Sequence, residues 1–371
     1  MAEKLKAVLV GLGQVSVGYA DDPALARHFP VATHLQAIQG CERLQLVAAV
    51  DPDPAARRRF ARHADADIAF ADLADVPMRE QIDVAIIACP PGGRLEALAR
   101  LPNLRGVLVE KPLGETHSQS AAFAAACAAR NISCQLNFLR RASPGIRALE
   151  KGGLRALIGD VQCGSAVYGN GLLNNGSHII DLISLLCGQP SRVAALSARA
   201  PFAEGPIVGD SNVAFCLGFE NNASIGVFPL RFANYREVGL TLWGTMGRLD
   251  LMQETLRMGY APRAPNRQLG SCDEIPSDAL SWSTVDLGDA FSAIYENLVD
   301  AVLGRSELLA PVQAGLNVQT IVTAIQHSLL DGCVEVEIAE AYADNAASRA
   351  LVADASIQDS VEKSPSWSGR R

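Results

Sequence analysis

Two short stretches of this chain carry residue types able to move protons. The first is Glu110-Lys111-Pro112-Leu113-Gly114. A lysine followed by proline is held in a fixed direction, because proline restricts the backbone on both sides. Partly desolvated, its ammonium gives up a proton more easily, which suits it to proton transfer at a hydroxyl. The second is the segment from Gly169 to Asp181, GNGLLNNGSHIID, which opens an apolar helical run through Leu186. On a helix His178 and Asp181 share a face, and Asn174 lies four residues before His178. The imidazole can then donate or accept at a substrate while the carboxylate fixes its tautomer. Each signal alone is weak: a loop lysine is more often solvated, a histidine near a helix start is more often structural, and Asp181 reads equally as a satisfied polar residue. No second histidine or cysteine stands at ligand spacing, so no metal site is expected.

A third stretch carries binding chemistry. Ala7 to Val10 is a short apolar strand that runs into Gly11-Leu12-Gly13-Gln14-Val15-Ser16. The first glycine permits a tight turn and the second lets backbone N–H groups approach a pyrophosphate at the positive end of a following helix. Ser16 stands where the dinucleotide fingerprint has its third glycine, a position that need only be small. A second strand, Leu44 to Val50, ends at Asp51, placed to grip the ribose hydroxyls of NAD. Asp51 follows Gly11 by forty residues, where about twenty are usual. The insertion Tyr19 to Val31, with two prolines and no periodicity, accounts for the excess and is expected near the cofactor mouth. Asp51 favours NAD because its charge repels the extra phosphate of NADP, although Arg57 and Arg58 keep NADP open. Two glycines after a strand read equally well as an ordinary turn.

These residues need a scaffold, and the alternation of patterns supplies one. Strands are expected at Ile68–Phe70, Asp83–Ala88, Gly106–Val109 and Ile132–Asn137, with helices at Pro54–His63, Arg94–Arg100 and from the Thr116 cap through Ala129. A short helix capped by Thr33 precedes Leu44. The class is therefore α/β, a doubly wound parallel sheet of six strands, over residues 1–143. Ligands in such sheets bind beyond the carboxyl ends of the strands. Gly11, Asp51, the Cys89-Pro90-Pro91-Gly92 break and Lys111 all fall at such ends, so one crevice is expected to collect them. Beyond Ser143-Pro144 the texture becomes α+β, an open and mainly antiparallel sheet over residues 144–340. Its strands are expected at Ile158–Tyr168, Arg192–Ala198, Asn212–Phe219, Ser224–Pro229 and Val238–Trp243, with a hairpin turn at Glu220–Ala223. Helices Ala290–Gly304 and Val312–Leu330 are expected to pack back on the first domain, and the Ser-rich tail 354–371 to be mobile.

Composition excludes other classes. A formal charge of −8 and the absence of a basic block argue against a nucleic-acid partner. No run approaches a membrane span, and the N-terminus lacks a signal-peptide pattern. Nine scattered cysteines without a C-x-x-C pair fit buried free thiols in a reducing, cytoplasmic compartment.

The chain resembles the Gfo/Idh/MocA family of NAD(P)-dependent oxidoreductases over roughly Lys6 to Val336. The resemblance rests on the Gly11-x-Gly13 turn, Asp51, the Cys89-Pro90 break, Glu110-Lys111-Pro112 and Gly176-x-His178-x-x-Asp181, in that order. It implies a dinucleotide-binding Rossmann domain, an α+β domain that often mediates homo-oligomerisation, and hydride exchange at a secondary alcohol or ketone of a sugar, sugar nucleotide or polyol. Lys111, His178 and Asn174 are then the catalytic candidates. Gly11, Gly13, Gln14, Val15, Ser16, Asp51, Cys89, Pro90, Glu110 and Lys111 are expected to line the cofactor. Arg140, Arg141, Tyr168, Asn174, Asn175, His178 and Asp181 are expected to line the substrate, either arginine able to clamp a phosphate or carboxylate. Many members carry an aspartate where this chain has Asn174; an amide orients a hydroxyl but relays no proton. Lys111 is therefore the favoured acid/base, with His178 as its helper. Arg94 replaces a histidine common after the proline turn. Two other readings remain: a redox-neutral NAD-dependent glycosidase, and a nucleotide-binding regulatory protein without chemistry.

Overall fold

The computed structural model describes residues 4–27, 29–196, 202–203 and 205–339. The tail expected to be mobile, residues 354–371, lies outside them. The first half forms a six-stranded parallel sheet of β1 (Leu5–Val10), β2 (Leu44–Val50), β3 (Ala69–Phe70), β4 (Val84–Ile87), β5 (Gly106–Val109) and β6 (Ser133–Leu136), in the order β3-β2-β1-β4-β5-β6. All four residues of β4 and all four of β5 are buried. Unbroken apolar runs of this kind suit strands covered on both faces. The order reverses between β1 and β4, which opens a crevice at their carboxyl ends. Helices α1 (His34–Gly40), α2 (Pro54–Phe60), α3 (Pro91–Ala99) and α4 (His117–Ala129) lie between the strands. Side-chain caps fix three of these starts, Thr33, Asp53 and Thr116 accepting from the N–H of Gln36, Ala55 and Gln119.

The expected helix directly after the glycine turn is not continuous. Val17 N donates to Gly13 O at 3.0 Å and Tyr19 N to Gln14 O at 2.9 Å, but the chain then leaves in the 3₁₀ turn Gly18–Asp21. It returns at α1, where His34 N and Leu35 N donate to the carbonyls of Val15 and Ser16, each at 3.0 Å. The insertion Tyr19–Val31 therefore loops out of one helical path, and α1 resumes on the carbonyls left open. Asp21 anchors the loop to Arg62 at 2.6 Å and His63 at 2.9 Å, just beyond α2.

The second sheet has nine strands among the described residues. They are β7 (Val161–Tyr168), β8 (Arg192–Ala195), β9 (Phe215–Gly218), β10 (Ser224–Pro229), β11 (Gly239–Gly244), β12 (Gly247–Met252), β13 (Arg257–Pro262), β14 (Ser281–Thr284) and β15 (Val336–Glu337). Their order is β14-β13-β12-β11-β7-β10-β9-β8-β15, antiparallel except between β7 and β10. The hairpin turn joins β9 to β10, with Asn222 at φ 66° and Ala223 N bonded to Asn221 Oδ1. Two expectations shift. β7 starts at Val161, because Ile158 ends a short helix and Gly159 turns the chain at φ 74°. Strands β12 to β14 have no counterpart in the sequence reading: GRLDLM buries an aspartate, and SWST is exposed throughout.

Helices α5 (Pro144–Ala148) and α6 (Leu154–Ile158) bridge the sheets, and α7 (Ser177–Cys187) covers the second. Helices α8 (Ala290–Val302) and α9 (Val312–Leu330) return to the first sheet. Gln135 Nε2 donates to Ile294 O at 2.7 Å and Leu136 N to Ala310 O at 2.8 Å. Among the nine free cysteines, Cys41, Cys127 and Cys134 are buried, whereas Cys163 and Cys272 are exposed. No helix of the described residues is long and apolar enough to cross a membrane.

Candidate functional site

The glycine turn is built by β1, β2 and β4 together. Gly11 adopts φ 91°, and a Cβ there would meet Cys89 N at 2.7 Å and the carbonyl of Ala88. Only glycine fits both the conformation and the space. Gly13 is different: a Cβ there would meet no protein atom within 4 Å. Its bareness answers to nothing in the chain, and leaves room for a ligand to approach the backbone. Asp51 is half-buried and accepts from Leu12 N at 2.7 Å and Asp53 N at 2.9 Å, so it braces the turn from the end of β2. Arg57 donates to the carbonyl of Asp51 at 2.6 Å and to that of Pro52 at 2.9 Å; Arg58 is exposed. Gln14 is exposed and Val15 half-buried, while Ser16 is fully buried and its Oγ has no partner among the described residues, in keeping with a position that must only be small.

Lys111 leaves the end of β5 ahead of a cis bond to Pro112. Two buried side chains set its surroundings. Arg94, in α3, donates through Nε to Cys89 O at 3.0 Å and through Nη1 to the carbonyls of Pro112 and Leu113. It ties the Cys89-Pro90 break to the turn that follows Lys111, the structural consequence of having arginine at this position. Glu110 was expected to line the cofactor; instead its Oε1 accepts from Asn137 Nδ2 and lies 3.0 Å from His34 Nε2, and its Oε2 accepts from Lys111 N at 3.1 Å. His34 Nδ1 is in turn 2.7 Å from the hydroxyl of Tyr295 on α8. Burial raises the Glu110 pKa, but the His34 hydrogen bond and charge, Lys111 and Asn137 outweigh it and hold the carboxyl down at about 2.

The Gly169–Asp181 stretch meets Lys111 directly. Leu172–Gly176 forms a wide helical turn ahead of α7. Lys111 Nζ donates to Asn174 Oδ1 at 2.7 Å and to Asn174 O at 3.1 Å. Asp210 orients that turn by accepting from Leu173 N and Asn174 N, both at 2.9 Å. Asn174 Nδ2 donates to Asn170 O at 3.1 Å, which fixes the amide with its oxygen toward the lysine. Desolvation lowers the Lys111 pKa from its usual 10.5; Glu110 opposes this, and the charge of Arg140 adds to it. His178 packs edge-on against Phe138 with centroids 5.8 Å apart. Desolvation, then the charges of Lys111, Arg140 and Arg236, push its pKa well below 6.5, so the imidazole is neutral at pH 7.

Three expected substrate residues are engaged elsewhere. Asp181 does not orient His178: it is buried and pairs with Arg141, Nη2 to Oδ1 at 2.8 Å and Nε to the two oxygens at 2.9 and 3.0 Å. That ion pair occupies the arginine as well, since each charge needs the other once out of water. Tyr168 is fully buried, its hydroxyl donating to Val213 O and accepting from Val213 N, both at 2.8 Å. Asn175 is buried with Nδ2 lacking a partner among the described residues. His34, Asp210, Arg236 and Glu254 escaped the sequence reading. Asp210 closes a stretch without periodicity, EGPIVGD, and His34 is marked locally only by its place after the capping Thr33.

Residues 5–138 match the family model GFO_IDH_MocA, described as an oxidoreductase family with an NAD-binding Rossmann fold. Over these residues the chain is similar to the Gfo/Idh/MocA oxidoreductases. No curated protein matches the chain in sequence. Solved structures extend the likeness to both sheets. The WlbA dehydrogenase from Bordetella pertussis, in complex with NADH and UDP-GlcNAcA, aligns at TM-score 0.68 and 19% identity over 91% of this chain and 98% of that one. Levoglucosan dehydrogenase with NADH and levoglucosan aligns at 0.68 and 20% identity, over 91% and 100%. A super-repressor mutant of Gal80p from Saccharomyces cerevisiae aligns at 0.69 and 14% identity, over 91% and 99%. At these identities the likeness of the whole chain to these structures is one of architecture.

Proposed function

We propose that the protein transfers hydride between NAD(H) and a secondary alcohol or ketone carbon of a sugar, sugar nucleotide or polyol, with Lys111 as acid/base and His178 assisting. The observation that carries this reading is the double hydrogen bond from Lys111 Nζ to Asn174. A neutral amine has two N–H groups and one lone pair. With both N–H groups held by Asn174, the lone pair points away from that residue, toward a substrate hydroxyl. In the reverse direction the third N–H of the ammonium serves the ketone oxygen. NAD, when bound in the crevice between Gly13 and Asp51, supplies the hydride acceptor. Neutral His178 adds a hydrogen bond at the same oxygen without adding charge.

Asn174 now has a physical role. A carboxylate there would hold the proton on Lys111, whereas a neutral amide orients the amine and leaves its pKa low. Dinucleotide choice follows from Asp51, whose free lone pairs suit ribose hydroxyls and repel a phosphate. Arg57 is occupied by backbone carbonyls. The test is a nicotinamide absorbance assay over inositols, pyranoses and sugar nucleotides, with fluorescence titration of NADH and NADPH. Net absorbance change and tighter NADH binding are expected. Substrate conversion without net change in nicotinamide absorbance, or NADPH binding tighter than NADH, contradicts the reading.

A further inference from the structure

Two arginines approach one carboxylate beside this site. Arg140 lies in the 3₁₀ turn Leu139–Ala142, just after Phe138, the residue packed on His178. Its side chain is 14% exposed, yet its contacts to Glu254 are long, Nη2 reaching the carbonyl at 3.4 Å and Oε2 at 3.5 Å. Its shortest bond among the described residues is Nε to Thr255 Oγ1 at 3.1 Å. Arg236, between β10 and β11, donates Nε to Glu254 Oε1 at 2.9 Å and lies over the Phe232 ring, 5.1 Å from its centroid. One carboxylate therefore serves two guanidinium groups. Other acids near the lysine are already engaged, Glu110 by His34 and Asn137, and Asp210 by backbone N–H groups.

Glu254 sits on unusual backbone. Gln253, Glu254 and Thr255 take φ 56°, 57° and 71° in succession, and none is glycine. Left-handed conformations are unfavourable for residues that carry a Cβ. Gln253 N bonded to Glu237 Oε1 at 2.6 Å helps to hold them. Strain of this kind collects where a side chain must be presented in one direction.

We infer that Arg140 and Arg236 form a recognition site for a carboxylate on the substrate, and that Glu254 is its internal stand-in. The inference rests on the reading that Lys111 and His178 face the reacting carbon. A substrate carboxylate matches Glu254 in charge and planar shape, so the exchange leaves the local charge unchanged. The loosely held Arg140 guanidinium closes on the incoming group in the fork geometry that arginine offers carboxylates. Glu254 is 31% exposed and Arg236 59%, and exposed pairs of this sort are weak, so the stand-in leaves at little cost. The substrate class narrows to sugar acids and carboxylated polyols.

The experiment is calorimetric titration of the full chain, saturated with NADH, using hexuronates, the matched neutral hexoses and hexose phosphates. The same panel is then assayed for turnover with NAD. At least one acid is expected to bind about 10-fold or more tighter than its neutral counterpart, and Arg236→Ala to remove that preference. NADH affinity reports that the variant is folded. Glu254→Gln is expected to tighten acid binding several-fold; weaker binding in that variant makes Glu254 a support and contradicts the stand-in role. No preference for any acid, equal losses for acid and neutral ligands in Arg236→Ala, or a phosphate preferred over every acid overturns the inference. Turnover of neutral sugars without acid preference leaves the oxidoreductase reading standing. Acid binding through Arg236 without any turnover does the reverse.

Discussion

Replacing Lys111 with alanine is expected to lower kcat by about 10²- to 10⁴-fold, the usual contribution of a positioned acid/base, with NADH affinity nearly unchanged. The Lys111 amine is bonded to Asn174, so on the proposed reading its loss removes the proton acceptor and leaves the glycine turn unchanged. The pH profile adds a sign. Alcohol oxidation needs the neutral amine, and the Lys111 pKa lies below 10.5, so the oxidative rate falls as pH drops through that lowered value. Reduction needs the ammonium and falls as pH rises through it. Asn174→Asp adds a negative charge at the amine, raises its pKa and moves both limbs to higher pH. Stopped-flow and steady-state rates over pH check this; wild-type turnover in Lys111→Ala contradicts the assignment.

Gly11→Ala is expected to destabilise the fold by about 2–5 kcal/mol, combining left-handed strain with overpacking, and to abolish NADH binding. The added methyl meets the backbone of Ala88 and Cys89, which cannot yield without shifting the end of β4. Gly13→Ala is the control. Its methyl meets no protein atom, so urea unfolding should match the wild type while NADH affinity falls. Equal stability of both variants, or full NADH affinity in Gly13→Ala, contradicts the account of the turn.

What could be read from the sequence follows from how locally each feature is determined. Buried runs such as VAII and GVLV, and caps such as Thr116 and Asp53, obey rules spanning a few residues, so the six parallel strands and their crevice were legible. Gly11, Asp51 and Lys111 inherit their positions from those strand ends. The split helix was not legible, because α1 resumes on carbonyls across an insertion. Asp181 and Arg141 are separated by forty positions, and helical spacing to His178 could not disclose that pair. Asp210, Arg236 and Glu254 come from loops placed by tertiary packing alone. Tyr168, at the end of a recognisable strand, gave no sign that Val213 would claim its hydroxyl.

The account depends on one crevice holding a nicotinamide ring, the Lys111 amine and the His178 imidazole around a single carbon. The most direct test is a crystal structure of the protein with NADH and a bound substrate. The account predicts the reacting carbon about 3–3.5 Å from the nicotinamide C4, a near-attack distance, with its oxygen hydrogen-bonded to Lys111 Nζ. A nicotinamide ring lying outside the reach of Lys111 and His178 contradicts it.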